Sequence, residues 1–204
     1  MRAARLPIFS ALLSFNGGFV DVACFFGLKG LLAAHITGNL ATLCASIVLG
    51  TRGLLSKMLA VPEFIVIVAL THLVGHALKA RGRPAARILL GVEVLLLAAF
   101  LALVARNAPF ADPDSLVALA TALAAIAAMA VQNGVQRAHL PQVPPTTFMT
   151  GNATQFAIDI VDVMQRRATP QVAARVRHVL LNLCGFAVGC AVAASGRTRV
   201  MISW

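Results

Sequence analysis

Long apolar runs separated by short polar or charged stretches form the main pattern of this chain. Five of the runs can cross the hydrocarbon core of a membrane, which takes about 20 helical residues. They cover approximately residues 6–28, 58–78, 88–105, 115–131 and 176–194. Alanine and leucine dominate these runs, and the alternating pattern of a membrane β-strand is missing from the sequence, so each run predicts a transmembrane helix.

Two shorter apolar runs, 40–50 and 153–164, each follow the tripeptide Thr-Gly-Asn. Threonine and asparagine are good helix N-caps, and glycine lets the backbone bend, so each tripeptide predicts the start of a short helix. A helix that starts at membrane depth offers N–H groups and a partial positive charge to a ligand. Capping without a ligand is the alternative. The candidate ligand-binding residues are therefore Thr37, Gly38, Asn39, Thr150, Gly151 and Asn152.

The two tripeptides are 113 positions apart, and neighbouring features recur at nearly the same offset. We therefore predict an all-α polytopic transmembrane helical bundle that forms a single domain, residues 1–204. Two related three-segment repeats, about 6–80 and about 114–196, are joined by a linker helix at about 86–106. In transporters that are built from such repeats, the substrate site lies between the repeats near the membrane midplane.

The number of membrane crossings has two solutions. If both short segments cross, there are seven crossings, the repeats are parallel, and the loop cations show no bias between the two sides. If both dip in and return, there are five crossings and the repeats are inverted. Eleven loop cations then lie on one side and six on the other, and the positive-inside rule places the N-terminus in the cytoplasm.

The composition supports the membrane assignment. The chain has 59% hydrophobic and only 12% charged residues, whereas soluble domains have about 25% charged residues. A lipid bilayer is therefore the expected partner. The net charge of +10 comes from cations between the apolar runs, Lys57 among them, where they anchor helices. We accordingly expect no nucleic-acid partner, and we predict no cofactor and no metal site, since the cysteines lack metal-ligand spacing.

Asp21 is the sharpest candidate for chemistry, because it lies deep in the first apolar run within GGFVDVACFF. A carboxylate at that depth costs at least about 2.5 kcal/mol, which favours an ion or proton site over a lipid-facing position. A carboxylate that is simply hydrogen-bonded to a facing helix is the alternative. Its counterpart in the second repeat is the amide pair Gln132 and Asn133. His35 precedes the first tripeptide and suits a proton-coupled step, although solvation at the membrane interface also explains it.

The remaining acidic residues have simpler interpretations. Glu63 and Glu93 are expected near the ends of their segments. Asp159 and Asp162 are spaced i, i+3 in the second short helix, and a local i, i+4 pair between Asp162 and Arg166 is the expected arrangement.

The sequence lacks the catalytic motifs of serine hydrolases and zinc proteases, and it lacks a phosphate-binding loop. We therefore do not expect an enzyme. The predicted function is a small secondary transporter or channel for a small polar or anionic metabolite. An intramembrane enzyme is one alternative, which Cys24 or His35 within hydrogen-bond reach of Asp21 would favour. A non-transporting scaffold subunit is the other, with Asp21 paired internally. A chain of 204 residues makes a thin-walled transporter, which leaves a homodimer open.

The stretches GGFVDVACFFGLKGLLAAHITGN and VQNGVQRAHLPQVPPTTFMTGN resemble the two signature stretches of the YoaK-like family of small bacterial membrane proteins. That family is catalogued as a domain of unknown function, and the resemblance covers the whole chain. It implies a multi-pass protein of the bacterial inner membrane with a suggested role in small-molecule transport. It implies no particular substrate and no catalytic residue.

Overall fold

A computed structural model describes residues 6–140, 146 and 150–202 of the protein. Those residues form seven α-helices and no strand, which confirms the all-α prediction. The helices are α1 Leu6–Gly27, α2 Gly38–Leu49, α3 Leu54–Ala80, α4 Ala85–Asn107, α5 Leu116–His139, α6 Thr150–Met164 and α7 Pro170–Ile202.

Five of these helices are long and apolar enough to cross a membrane, as the hydropathy pattern predicts. They are α1, α3, α4, α5 and α7, whereas α2 and α6 are shorter. Large apolar side chains on α3, α4 and α7 are exposed on the surface of the chain, where lipid tails would cover them. The order long, short, long occurs on both sides of α4, as the proposed repeat requires, but the repeat itself stays a prediction. The chain is a multi-pass helical membrane protein.

The helices group into two compact units. The terminal unit comprises the described parts of Met1–Phe19 and Leu140–Trp204, and the middle unit comprises Val20–His139. Helix α1 contributes to both units, α2 to α5 lie in the middle unit, and α6 and α7 lie in the terminal unit.

In the terminal unit, α1 and α7 pack closely and run in the same direction. The hydroxyl of Ser10 donates a hydrogen bond of 2.7 Å to the side-chain oxygen of Asn182. Further along both helices, Gly189 lies against the carbonyl of Phe15, where a Cβ atom would collide with that carbonyl. With Gly185, this residue forms a Gly-x-x-x-Gly pair, which is a common close-packing motif of membrane helices. Successive membrane crossings alternate in direction. The first and the last span therefore run in the same direction only if the number of crossings is odd, so this parallel pair fits five or seven crossings and excludes six.

Helix α5 is the most buried span of the middle unit. Its surface is rich in alanine, so α3 and α4 can approach its backbone closely. Gly134 shows this most clearly, because a Cβ atom there would lie only 2.9 Å from the methyl carbon of Thr71 on α3. Leu89 of α4 packs with Val131 and Val135 of α5 in a small apolar cluster. This packing makes α5 a rigid support for its polar side chains.

The segment between α1 and α3 enters and leaves the middle unit at the same end. A Cβ atom at Gly53 would lie 3.5 Å from Cβ of Lys29, so the end of α1 and the start of α3 are neighbours. Residues 28–37, which we call the connector, run back along α1 until Ala34 reaches Asp21. That contact is about 9 Å from the end of α1, given the rise of 1.5 Å per helical residue. Helix α2 then returns, so it does not cross, and with the parallel α1 and α7 the described residues fit five crossings.

Candidate functional site

Asp21 ties the connector to α1. One carboxylate oxygen accepts a hydrogen bond of 2.6 Å from the backbone N–H of Ala34. The other oxygen lies 2.5 Å from Nδ1 of His35. The Asp21 side chain is only 4% exposed, whereas the His35 side chain is 29% exposed. The pair therefore joins a shielded carboxylate to an imidazole that can be reached from outside.

Asn39 holds the same connector from the other side. Its side-chain oxygen accepts a bond of 2.8 Å from the N–H of Leu32, and its amide nitrogen donates one of 2.6 Å to the Leu32 carbonyl. Asn39 is fully buried, as are Leu31 and Ala33 on either side of the bonded residue. A buried backbone that is not helical needs such partners, because lipid and core offer none. The polar residues of this region thus satisfy the connector's backbone at membrane depth.

The first tripeptide starts a helix, as predicted, but in a different way. Thr37 occupies the N-cap position of α2, and its side chain makes no capping hydrogen bond. Instead, the N–H groups of Gly38 and Asn39 donate to the carbonyls of His35 and Ile36 within the preceding turn. The hypothesis that α2 begins with free N–H groups for a ligand therefore fails for these two positions. A ligand there would have to be bound by side chains.

The second tripeptide also starts a helix, since α6 begins at Thr150. The Thr150 side chain lies outside the described part of the structure. Gly151 is exposed and Asn152 is half-buried. The first tripeptide belongs to the middle unit and this one to the terminal unit, so the convergence of the two stays a prediction.

The amide pair of α5 lies on the buried side of the middle unit. Gln132 is fully buried. Asn133 is half-buried, and its amide nitrogen donates a hydrogen bond of 2.8 Å to the carbonyl of Met129 in the same helix. Among the predicted site residues, the structure thus gathers Asp21, His35 and Asn39 around the connector.

Lys57 and Ser46 form a buried polar contact that the sequence does not reveal. Lys57 was expected to be a loop cation, but it lies in the first turn of α3 and is 1% exposed. Its ammonium group donates a hydrogen bond of 2.7 Å to the hydroxyl of Ser46 on α2. Gly30 of the connector, with φ of +90°, lies beside the same ammonium group. This contact closes the end of the re-entrant segment, and its sequence signal is a lysine four positions after the turn glycine Gly53.

In the terminal unit, Asp159 joins α6 to α7. Its carboxylate accepts hydrogen bonds from Nε of Arg175 at 2.6 Å and from a terminal nitrogen of the same guanidinium at 2.7 Å. Gln155, one turn earlier on α6, donates a third bond of 2.8 Å. The hydrogen bonds from Arg175 hold the pKa of Asp159 below its ordinary value. The expected local pair of Asp162 with Arg166 is wrong, because α6 ends at Met164 and Arg166 adopts a positive φ of 57° in the turn that follows.

Two glutamates lie well inside membrane spans, although the sequence pattern placed them near segment ends. Glu63 is the tenth residue of the 27-residue helix α3. Glu93 is the ninth residue of the 23-residue helix α4 and is buried. Both helices extend further than the apolar runs, because charged and small residues continue them at their ends. The two glutamates must therefore be considered as membrane-embedded groups.

The described residues contain no group of three or more histidine, cysteine, aspartate or glutamate side chains that could hold a metal ion. His72 and His76 lie edge to face on α3 with their ring centroids 4.6 Å apart, and both are exposed.

Comparison with known proteins gives a family but no function. No curated protein and no solved structure matches the chain, so the finer resemblance to YoaK-like proteins stays a prediction. One family model, described as protein of unknown function (DUF1275), matches residues 9–203. Because this match spans nearly the whole chain, the protein belongs to that family of proteins of unknown function.

Proposed function

We propose that the protein is a small proton-coupled secondary transporter for a small polar or anionic metabolite in the bacterial inner membrane. The observation that carries this proposal is the pair of Asp21 and His35, 2.5 Å apart, which joins α1 to a re-entrant segment inside a protein with five long apolar helices. Ionisable residues within membrane spans are rare and mark ion or proton pathways. Irregular backbone at membrane depth is typical of transporter binding sites.

Proton binding at this pair would act directly on the connector. The Nδ1 atom of His35 faces Asp21, and the His35 side chain is 29% exposed, so the imidazole can pass a proton between its surroundings and the carboxylate. A proton on the imidazole strengthens its attraction to the carboxylate, and a proton on the carboxylate weakens the acceptor that holds the Ala34 N–H. The strength of the hydrogen bonds between α1 and the connector thus depends on which group carries the proton. Protonation can therefore change the position of the connector.

The substrate would lie beside this pair. Gln132 and Asn133 supply amide groups from the rigid helix α5, and amides recognise polar groups without adding charge. A homodimer would add helices around the site of this small protein. The excess of loop cations on the side of the N-terminus supports a cytoplasmic N-terminus.

Uptake into proteoliposomes tests the proposal. Vesicles that carry the wild type and an imposed proton gradient are offered a panel of small polar and anionic metabolites. We expect Asp21→Asn to abolish proton-driven accumulation, because the amide keeps an oxygen for Ala34 but cannot exchange a proton. The matched control is Asp112→Asn, since Asp112 is 52% exposed and its carboxylate contacts the exposed Arg52 and the backbone N–H of Asp114. Equal uptake by the wild type and Asp21→Asn would remove Asp21 from the mechanism.

An intramembrane enzyme is the second candidate, and the same pair favours it. A carboxylate that orients an imidazole is part of many hydrolase sites, and such a site also needs a nucleophile. Cys24, one turn after Asp21 on α1, is a free cysteine and is 1% exposed. The transporter proposal expects Cys24→Ala to keep full uptake, whereas an enzyme that uses this thiol would lose its activity.

A scaffold subunit would also bury Asp21 in internal hydrogen bonds. The uptake experiment separates this reading from the proposal, because a scaffold gives no accumulation of any metabolite in wild-type vesicles.

A further inference from the structure

We propose that Glu63 is a second proton-binding group of this protein: a carboxylic acid inside α3 that holds a proton within the membrane. The position of Glu63, the absence of any described donor at one of its oxygens and the absence of a described ion pair at its carboxyl group lead to this assignment. Its proposed part in coupling, unlike the protonation itself, rests on the proposed transport function.

The surroundings of Glu63 differ from those of the other carboxylates that we described. Its Oε2 atom is buried and has no hydrogen-bond partner among the residues that the structure describes. Asp21, by contrast, is bonded to a backbone N–H and an imidazole, and Asp159 to a guanidinium and an amide. Hydrogen bonds to the oxygens of a carboxyl group stabilise its ionised form. Glu63 lacks that stabilisation at the buried oxygen.

The helices around α3 carry charged side chains, but Glu63 is in none of the ion pairs among the described residues. Helices α2, α4 and α5 pack against α3. Their ionisable side chains are Cys44 on α2, Arg87, Glu93 and Arg106 on α4, and Arg137 and His139 on α5. None of these, and no charged side chain of α3 itself, forms an ion pair with Glu63 in the described part of the chain. An isolated charge inside a membrane span is costly, so the carboxyl group is stable there with its proton attached.

Glu63 and Asp21 lie at similar depths when both are measured from the same end of the middle unit. The end of α1 and the start of α3 are neighbours there. Counting along the helices from this end places Asp21 about 9 Å deep and Glu63 about 14 Å deep. The two carboxyl groups therefore differ in depth by about 5 Å, and Glu63 can hold a second proton while the connector moves.

Labelling with dicyclohexylcarbodiimide tests the protonation directly. This apolar reagent partitions into membranes and adds to protonated carboxylic acids: the acid proton goes to a carbodiimide nitrogen, the carboxyl oxygen bonds to the central carbon, and no atom is lost. Glu63 is partly exposed at the helix surface, so the reagent can reach it from the lipid. The full-length protein in liposomes is labelled at about pH 6 and about pH 9 and mapped by peptide mass spectrometry.

We expect strong labelling of Glu63 at the lower pH, weaker labelling at the higher pH, and no label at this position in Glu63→Gln. Asp159 serves as the internal control, because its ion pair with Arg175 keeps it ionised and unlabelled. An added apolar carboxylic acid in the same sample shows that the reagent is active. If Glu63 stays unlabelled at both pH values while this acid reacts, the proposal is overturned.

The same variant separates the two proposals. Labelling of Glu63 does not require transport, so a labelled wild type that accumulates no metabolite would leave the proton site standing and would overturn the transport function. If the wild type accumulates a metabolite and Glu63→Gln does so equally well, Glu63 has no part in coupling. Glu63→Gln is suited to this test because the neutral amide has nearly the same shape as the protonated acid.

Discussion

Helices α2 and α6 both begin with Thr-Gly-Asn, yet the polar groups that anchor them lie in different places. At α2 the anchor is the tripeptide itself, because Asn39 is buried and binds both backbone groups of Leu32. At α6 the asparagine, Asn152, is half-buried, and the anchor lies further along the helix, where Asp159 binds Arg175 of α7.

The difference follows from what each anchor has to stabilise. The connector before α2 is buried non-helical backbone, and each of its N–H and C=O groups needs a partner inside the protein. The Asp159 carboxylate binds a neighbouring helix through Arg175, whose side chain is 44% exposed. The same three residues can therefore hold a buried connector in one unit and begin a helix that is anchored further along in the other.

The largest expected contrast is between Asn39→Ala and Asn152→Ala. Asn39→Ala removes two hydrogen bonds and leaves the N–H and C=O of Leu32 unpaired, which costs about 2–4 kcal/mol in the free energy of unfolding. Asn152→Ala should cost less than half as much, because the side chain is half-buried. Unfolding of both variants in detergent, followed by circular dichroism, measures the difference. Equal decreases in the free energy of unfolding would show that the two asparagines stabilise the protein to the same extent.

A smaller contrast concerns the anchor of α6. Arg175→Met leaves Asp159 without its guanidinium and should destabilise the protein by about 1–2 kcal/mol, between the values for exposed and buried ion pairs. Arg177→Met is the control, because Arg177 lies on the same helix and is exposed. The same unfolding assay applies. A control that loses as much stability as Arg175→Met would assign the effect to helix α7 in general.

Acid should remove the α6 anchor. The pKa of Asp159 is lowered from 3.8 in the folded protein, mainly by hydrogen bonds from Arg175. A lowered folded pKa gives stability that is fully present above the ordinary value and is lost as the pH falls through the folded value. The stability difference between the wild type and Arg175→Met should therefore shrink below about pH 4. Unfolding midpoints measured between about pH 6 and about pH 3 check this, and a constant difference would contradict it.

Hydropathy alone predicts the five long spans and the two helix starts, because the membrane requires about 20 apolar residues per crossing and the tripeptide interrupts such a run. The burial of Asp21 follows from the same pattern. The partner of Asp21 does not, since the distance from His35 depends on the path of the connector back along α1. The return of this path also decides between five and seven crossings.

Lys57 and Arg175 show what sequence patterns miss. Lys57 lies between two apolar runs, as a loop cation would. Its contacts with Ser46 and Gly30 depend on the re-entrant path, which brings both residues to its ammonium group. Arg175 lies 16 positions after Asp159, beyond the i, i+4 range in which helical pairs can be inferred. The local alternative fails because the chain leaves the helix at Arg166. Contacts across a turn depend on the turn's geometry, which hydropathy does not specify.

The smallest and cleanest contrast is between Gly38→Ala and Gly151→Ala. A Cβ atom at Gly38 would lie 2.6 Å from Cδ1 of Leu32, whereas a Cβ atom at Gly151 would meet nothing within 4 Å. Both changes remove the same backbone freedom from the unfolded chain, and both favour the helix by up to about 1 kcal/mol. The difference in stability between the two variants therefore isolates the contact with Leu32, whose side chain must shift while Asn39 fixes its backbone.

We expect Gly151→Ala to stabilise the protein by about 0.5 kcal/mol and Gly38→Ala to be less stable than Gly151→Ala by about 1 kcal/mol. If the two variants have the same midpoint of unfolding, the Leu32 side chain moves aside at no measurable cost in stability. The rigid anchoring that we assign to the first tripeptide would then be wrong.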